Sequence, residues 1–238
     1  MPSADPEAVR ALFERVAPRY DLLNDVLSLG LHRLWKRQAA LWLRPQPGQH
    51  LLDLCCGTGD LALLLAAQVR PGGQVLGLDA AAAPLALARR RAAQQPWLPL
   101  RWLQGDALAT DLPAASQDGA VMAYGLRNLA DPAAGLAELR RVLRPGGRAA
   151  VLDFRHLDPN TGPGEAVAER FQRLYLHHLV VPTARLAGLE AQYAYLQDSL
   201  DRFPTGEALC GLAEQVGFRQ VQHRPLAAGL MGLLELVA

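Results

Sequence analysis

Asp53, Gly57, Thr58, Gly59 and Asp60 fall within one short stretch, Leu51 to Asp60. Leu51, Leu52 and Leu54 read as a buried strand, with Asp53 set among them. The chain then turns on Gly57 and Gly59, and Leu61 to Ala67 reads as a helix packed on a sheet. A strand, a glycine turn and a helix N-terminus form a nucleotide site. Glycine lets backbone N–H groups approach a ligand where a side chain would collide. Asp79 lies 20 residues past Gly59, the spacing of a ribose-binding acid. The glycines alone fit a dinucleotide such as NAD, or a capped helix with no ligand. The carboxylates favour another ligand: Asp53 and Asp60 would repel a pyrophosphate. S-adenosylmethionine has no phosphate and carries a sulfonium and an ammonium, so an acidic rim attracts it in a partly dry cleft.

Two further acids extend this pattern. Asp79 closes the strand Val75 to Asp79, where its carboxylate can accept from a ribose diol. Asp106 follows the strand Leu100 to Gln104, and with the Ala107 N–H it could flank an adenine. Thr58 and Ala123, the latter ending a fourth strand from Gly119, are expected in the same donor pocket.

These residues need a scaffold of alternating strands and helices. The expected helices are Ala80 to Gln95 and Pro132 to Leu143, with Pro near the first turn of the second. Arg144-Pro145-Gly146-Gly147 is expected to stop that helix before a fifth strand, Arg148 to Phe154. This alternation implies a mostly parallel sheet with ligands at the strands' carboxyl ends. Ahead of it, residues 1–45 read as a helical arm, with Val9, Leu12, Phe13 and Val16 on one face and an apolar stripe through Trp35, Ala39 and Trp42. Residues 46–154 form the donor-binding core. Residues 155–205 are a long insertion of two helices, Glu165 to Leu179 and Ala184 to Leu200, of the kind used as lids. Residues 206–238 supply two final strands, Phe218 to His223 and Leu230 to Val237, an antiparallel pair turning near Ala228-Gly229. The whole is a single domain.

Composition bounds the rest. A net charge of +1 over 238 residues gives no field for nucleic acid, and Arg89-Arg90-Arg91 reads as a solvated face. Cys55, Cys56 and Cys210 make neither a C-x-x-C pair nor a disulfide framework, so a reducing, cytoplasmic setting is expected. The N-terminus lacks a signal peptide's apolar core, and no apolar run reaches the ~18 residues of a membrane span. His177 and His178 are adjacent and diverge on a helix, so no metal is expected.

The glycine turn and three strand-end acids resemble class I methyltransferases over about residues 46–155. The stretch after strand four, Ala123-Tyr124-Gly125-Leu126-Arg127-Asn128, lacks the Asn-Pro-Pro-aromatic motif of enzymes that methylate exocyclic amines. Tyr20-Asp21-Leu22-Leu23-Asn24 through Trp35 resembles the first signature of the ubiquinone/menaquinone biosynthesis C-methyltransferases, with Leu23 where that family often has Met. Arg141 to Gly147 resembles the start of its second signature, which usually continues to a Glu where this chain has Asp153-Phe154. Asp153-Phe154 and Ser199 to Gly206 are closest to the cyanobacterial and plastid members that methylate 2-phytyl-1,4-naphthoquinone. The resemblance implies a Rossmann-like, seven-stranded, mostly parallel sheet.

It also implies the reaction. A prenylated naphthoquinol is the partner, and its ring carbon becomes nucleophilic when an adjacent hydroxyl ionises. Arg127 is then the candidate for stabilising the phenolate, because guanidinium always carries charge. Asn128 would orient a hydroxyl or water, and Tyr20 would cover the site from the arm. The competing role for Arg127-Asn128 is a salt bridge and a cap at the Asp131 helix start. His32 is a general-base candidate by pKa, although a lone helical His reads first as structural. The phytyl tail needs a channel or a membrane surface, for which Leu174, Leu176, Leu179, Val180, Val181, Leu186 and Leu189 are available in the insertion, unless they only pack it on the core. Peripheral contact with a thylakoid membrane, and a homodimer, are compatible with this reading. The head group could equally be demethylmenaquinone or a ubiquinone precursor. A nicotinamide oxidoreductase and a non-catalytic donor-binding scaffold are the alternatives of other kinds.

Overall fold

The computed structural model describes residues 6–16, 28, 30–176, 178, 182, 195 and 198–238. Tyr20 lies outside the described residues, as do His177, Leu179, Val180, Val181, Leu186 and Leu189 and the side chains of Leu12, Phe13 and Val16.

Helices α1 (Pro6–Val16) and α2 (Leu31–Leu43) precede the sheet. Then come β1 (His50–Leu54), α3 (Asp60–Ala66), β2 (Gln74–Asp79), α4 (Ala82–Ala93), β3 (Leu100–Gln104) and β4 (Gln117–Ala123). A 3₁₀ turn at Leu126–Asn128 leads into α5 (Pro132–Val142), β5 (Leu143–Phe154) and α6 (Pro163–Tyr175). The chain ends with α7 (Gly206–Gln215), β6 (Gln220–Leu226) and β7 (Met231–Val237). The seven strands form one sheet in the order β3-β2-β1-β4-β5-β7-β6. Strands β1 to β5 are parallel, and β7 runs antiparallel to both β5 and β6.

Strand alternation divides the core in two. Leu52, Leu54 and Met122 join Leu136, Leu139, Leu209 and Ala213 of α5 and α7 on one face. Leu51, Val75 and Val121 meet Trp35, Ala39, Leu43, Leu61 and Leu65 of α2 and α3 on the other. Neighbours such as Leu51 and Leu52 point to opposite faces because side chains alternate along a strand. Both are fully buried, which is why the run is continuously apolar. Each such leucine contributes about 1.5–3 kcal/mol of burial.

Two expectations are corrected. Residues 144–147 do not separate a helix from a strand; β5 already begins at Leu143. The register jumps from Gln117↔Leu143 to Gly119↔Arg148, so those four residues bulge out of the ladder. Residues 206–238 hold a helix, α7, as well as two strands. Thr205 caps it, its Oγ1 accepting from the Ala208 N–H at 3.3 Å.

Candidate active site

The turn after β1 is shaped by left-handed backbone at Cys55, Gly57 and Gly59. A Cβ on Gly59 would sit 2.5 Å from the Trp102 ring of β3, so only glycine fits there. A Cβ on Gly57 would meet nothing within 4 Å, which leaves open space over that backbone.

A cleft of about 970 Å³, its open mouth included, lies at the carboxyl ends of β1, β2 and β4. Gly57, Asp79, Asp106, Ala107, Ala123 and Asn128 all line it. A smaller, narrow lobe, about 310 Å³ with open solvent included, adjoins it and is lined by Asp53, Thr58, Lys36 and Tyr124. The two share Cys55, Gly57, Ala123 and Tyr124. Helix α1 walls the cleft with Val9 and Arg10. Glu14 anchors that wall, its carboxylate accepting from the Ala82 and Ala83 N–H groups at 2.5 and 2.9 Å. A carboxylate at those orphan donors also suits the positive end of α4.

Asp79 accepts from the Gly57 N–H at 2.7 Å on Oδ2 and from the Ala81 N–H at 2.9 Å on Oδ1. Each oxygen keeps acceptor capacity for a diol. Burial raises its pKa despite these bonds. Asp106 is exposed at the rim, with Oδ1 accepting from the Leu108 N–H at 2.9 Å, while Ala107 is buried beside it.

Asp53 and Asp60 behave oppositely. Asp53 is 2% exposed and accepts from the Ala62 N–H at 2.8 Å. Burial pushes its pKa up to about 7, against that bond and the charge of Lys36. Burial would also raise Asp60, but Lys36 Nζ at 2.7 Å and Arg91 Nη2 at 2.6 Å hold it down to about 2. Asp60 is thus already neutralised, which corrects the expectation of two acids flanking the turn. Arg91, expected on a solvated face, is partly exposed but engaged: it also donates to the Thr58 carbonyl at 2.9 Å.

An ionised Asp53 is a buried charge that a cationic ligand would compensate, so ligand binding and ionisation are coupled. Its folded pKa lies above the unfolded one, so stability falls as pH rises toward about 7 and is level above. Affinity for adenosylmethionine is expected to run the other way. It should rise with pH and flatten above Asp53's value of about 7, with at most about a tenfold change per unit below it. Calorimetric titrations in buffers of different ionisation enthalpy measure the released proton, and Asp53→Asn should remove it. A pH-independent Kd in the wild type would discard the coupling.

The residues after β4 hold a strained turn. Tyr124 is left-handed at φ 61°, an uncommon state for a bulky residue. Its carbonyl accepts from Asn128 Nδ2 at 2.8 Å and from Arg127 Nη1 at 3.3 Å. Arg127 Nη1 also meets Asp153 Oδ1 at 2.5 Å, with both side chains buried, and the guanidinium lies over the Phe154 ring at 5.4 Å. Among the described residues the cleft lining includes Asn128 and not Arg127. The salt bridge is therefore made with Asp153; Asp131 caps α5 itself, accepting from the Ala133 and Ala134 N–H groups. Asn128 Oδ1 accepts from the Tyr195 hydroxyl at 2.9 Å, so the insertion reaches the cleft. Lys36 and Tyr195 were not anticipated; their partners lie 24 and 67 residues away, beyond any local pattern. His32 is buried, with Nδ1 2.9 Å from the Ser28 hydroxyl. No described group of three or more His, Cys, Asp or Glu could hold a metal ion.

This sheet order, with a glycine turn after β1 and an acid ending β2, defines a Rossmann-like methyltransferase fold. A solved S-adenosylmethionine-dependent methyltransferase from Aquifex aeolicus matches it with TM-score 0.60 at 16% identity, covering 98% of each chain. The [4+2]-cyclase SpnF matches as well, TM-score 0.63 at 17% identity over 100% and 97%, so the fold alone does not fix the reaction. The chain belongs to the ubiE/COQ5 methyltransferase family, whose model matches residues 1–234. It is 52% identical to a 2-phytyl-1,4-naphthoquinone methyltransferase of Thermosynechococcus vestitus over 225 residues, 94% of this chain and 96% of that one. It is 40% identical to a chloroplastic 2-phytyl-1,4-beta-naphthoquinone methyltransferase of Arabidopsis thaliana over 228 residues, 94% and 85% of the two. The chain is an S-adenosylmethionine-dependent methyltransferase, and the nicotinamide reading is set aside.

Proposed function

We propose that this enzyme C-methylates 2-phytyl-1,4-naphthoquinone in its quinol form, giving phylloquinone, the last step of that synthesis. The observation that carries the reading is near-full-length similarity to enzymes named for that substrate, at 52% and 40% identity. The cleft fits the methyl donor. Asp79 has acceptor capacity for a ribose diol, Asp106 and Ala107 flank the adenine end, and open space lies over Gly57. In the smaller lobe Asp53 would meet the donor's ammonium and Lys36 its carboxylate, with Thr58 between β1 and α3.

When bound, the donor supplies an electrophilic methyl group on a sulfonium. The quinol loses a hydroxyl proton, and the adjacent ring carbon forms the new bond to that methyl as the carbon–sulfur bond breaks. The donor is released as a neutral thioether; the ring carbon's own proton goes to solvent and the oxygen regains one, so the aromatic quinol is restored with one proton released overall. The protein's part is alignment and charge. Alignment alone can supply about 7–11 kcal/mol. Asn128 orients the quinol oxygen from the cleft wall. Arg127, held by Asp153 behind the cleft wall, favours the ionised hydroxyl; Tyr20, outside the described residues, is proposed as the cover from the arm.

The phytyl tail of the substrate supports peripheral contact with a membrane such as the thylakoid; among the described residues no helix is long and apolar enough to cross one. The deciding experiment incubates labelled adenosylmethionine with reduced naphthoquinols bearing phytyl or polyprenyl tails and with a benzoquinol, then weighs the products. Methylated phytyl-naphthoquinol is expected as the main product. Preference for a polyprenyl tail or a benzoquinol would move the substrate to demethylmenaquinone or a ubiquinone precursor. No transfer to any quinol would leave only a donor-binding scaffold.

A further inference from the structure

We infer that the outer face of α2 is a docking surface for an anionic lipid bilayer. The inner face of this helix, Trp35, Ala39, Ala40 and Leu43, is buried against the sheet. The outer face keeps three large apolar side chains in solvent: Leu31 at 46%, Leu34 at 50% and Leu41 at 67% exposure. With about 3.6 residues per turn these three share one arc, and Arg33 and Arg37 occupy the adjoining arc. Helix α2 carries Arg33, Lys36 and Arg37 and no acid. Single exposed leucines are ordinary, but three on one arc beside an unbroken basic row are the pattern of a helix lying in a bilayer interface.

The neighbouring surface has the same sign. A shallow concavity beside α2, about 700 Å³ with its open mouth included, is bounded among the described residues by His32, Arg33, Lys36, Arg37 and Arg91, with Asp60 as the one acid among them. Lys36 and Arg91 already match the charge of Asp60, and the exposed Arg37 adds a further cation to this wall. Leucines entering the acyl boundary would place this concavity at headgroup depth, where anionic lipids lie. Lys36 lines both the concavity and the donor lobe, so docking here sets the active cleft beside the membrane.

A second apolar stripe, Val167, Phe171 and Leu174 on α6, is also exposed. Its helix carries Glu165 and Glu169 as well as Arg170 and Arg173, so it offers an anionic surface no net attraction. Leu176, available either to the phytyl tail or to packing of the insertion, is buried in a cluster with Leu200.

This inference rests on a lipid-tailed quinol as substrate, but its test needs neither donor nor quinol. The full chain is sedimented with vesicles of phosphatidylglycerol and phosphatidylcholine, and with phosphatidylcholine alone. Wild type is expected to bind the anionic vesicles and to release as salt rises. Leu34→Asp with Leu41→Asp should lower binding by about tenfold or more. Arg37→Ala should lower it by about fivefold on anionic vesicles only. Both variants should keep wild-type turnover on a short-tailed, water-soluble quinol, which certifies the fold, and on phytyl-quinol embedded in anionic vesicles their turnover should fall in proportion to the lost binding. Equal binding to both vesicle types, or to neither, overturns the inference. So does loss of binding only in Phe171→Asp with Leu174→Asp. A leucine variant that turns a dimer into a monomer while vesicle binding stays unchanged assigns this face to a second copy and overturns it as well.

Discussion

Asp79→Ala is expected to weaken adenosylmethionine binding by about 100-fold or more, the loss of two hydrogen bonds to a charged acceptor. Both oxygens of Asp79 already tie down backbone, one at Gly57 and one at Ala81. The substitution therefore removes the diol's acceptors and loosens the glycine turn in one step. Asp79→Asn separates the two effects: its amide retains one acceptor oxygen, so it should recover part of the turn's order and less of the affinity. Calorimetry gives Kd, and the thermal shift without donor gives the structural share. An unchanged Kd in the Ala variant would remove Asp79 from the donor site, and the cleft at β2 would need another ligand.

The framework behind that prediction was largely legible in the sequence, for local reasons. Leu51, Leu52 and Leu54 are continuously apolar because both faces of β1 are covered, and Asp79 ends β2 where the chain must leave the sheet. Strand, turn and acid are read from neighbours in sequence. What escaped depends on contacts distant in sequence. Asp60 looks like a free acid until α2 and α4 bring Lys36 and Arg91 to it across 24 and 31 residues. Arg127 looks like a free cation until β5 presents Asp153, 26 residues on. Helix α7 has a local signal, since Thr205 offers a cap and Leu209 and Ala213 keep a helical spacing, but the apolar strand after it carries the stronger pattern. The bulge at residues 144–147 had no such signal, because a Pro-Gly-Gly run reads as a turn whether or not a strand has already begun.

The Asp153 contact changes what Arg127→Ala should do. Removing one partner of a buried ion pair costs about 3–5 kcal/mol, because the other charge is left without compensation. The single variant is thus expected to be less stable, and slow turnover in it alone would be ambiguous. Arg127→Ala combined with Asp153→Asn removes the stranded charge and restores most of the stability. That double variant should bind adenosylmethionine within about threefold of wild type, since neither side chain lines the donor cleft. Its kcat should still fall by about tenfold or more, because the guanidinium no longer favours ionisation of the quinol hydroxyl from behind the cleft wall. Tyr195→Phe, which strips one hydrogen bond from Asn128 and no charge, should cost about tenfold or less in kcat. If the double variant turns over like wild type, the Arg127–Asp153 pair serves only to pin the left-handed Tyr124, and Asn128 is left as the polar group at the quinol. A loss confined to KM would say instead that the pair shapes the acceptor pocket without stabilising the transition state.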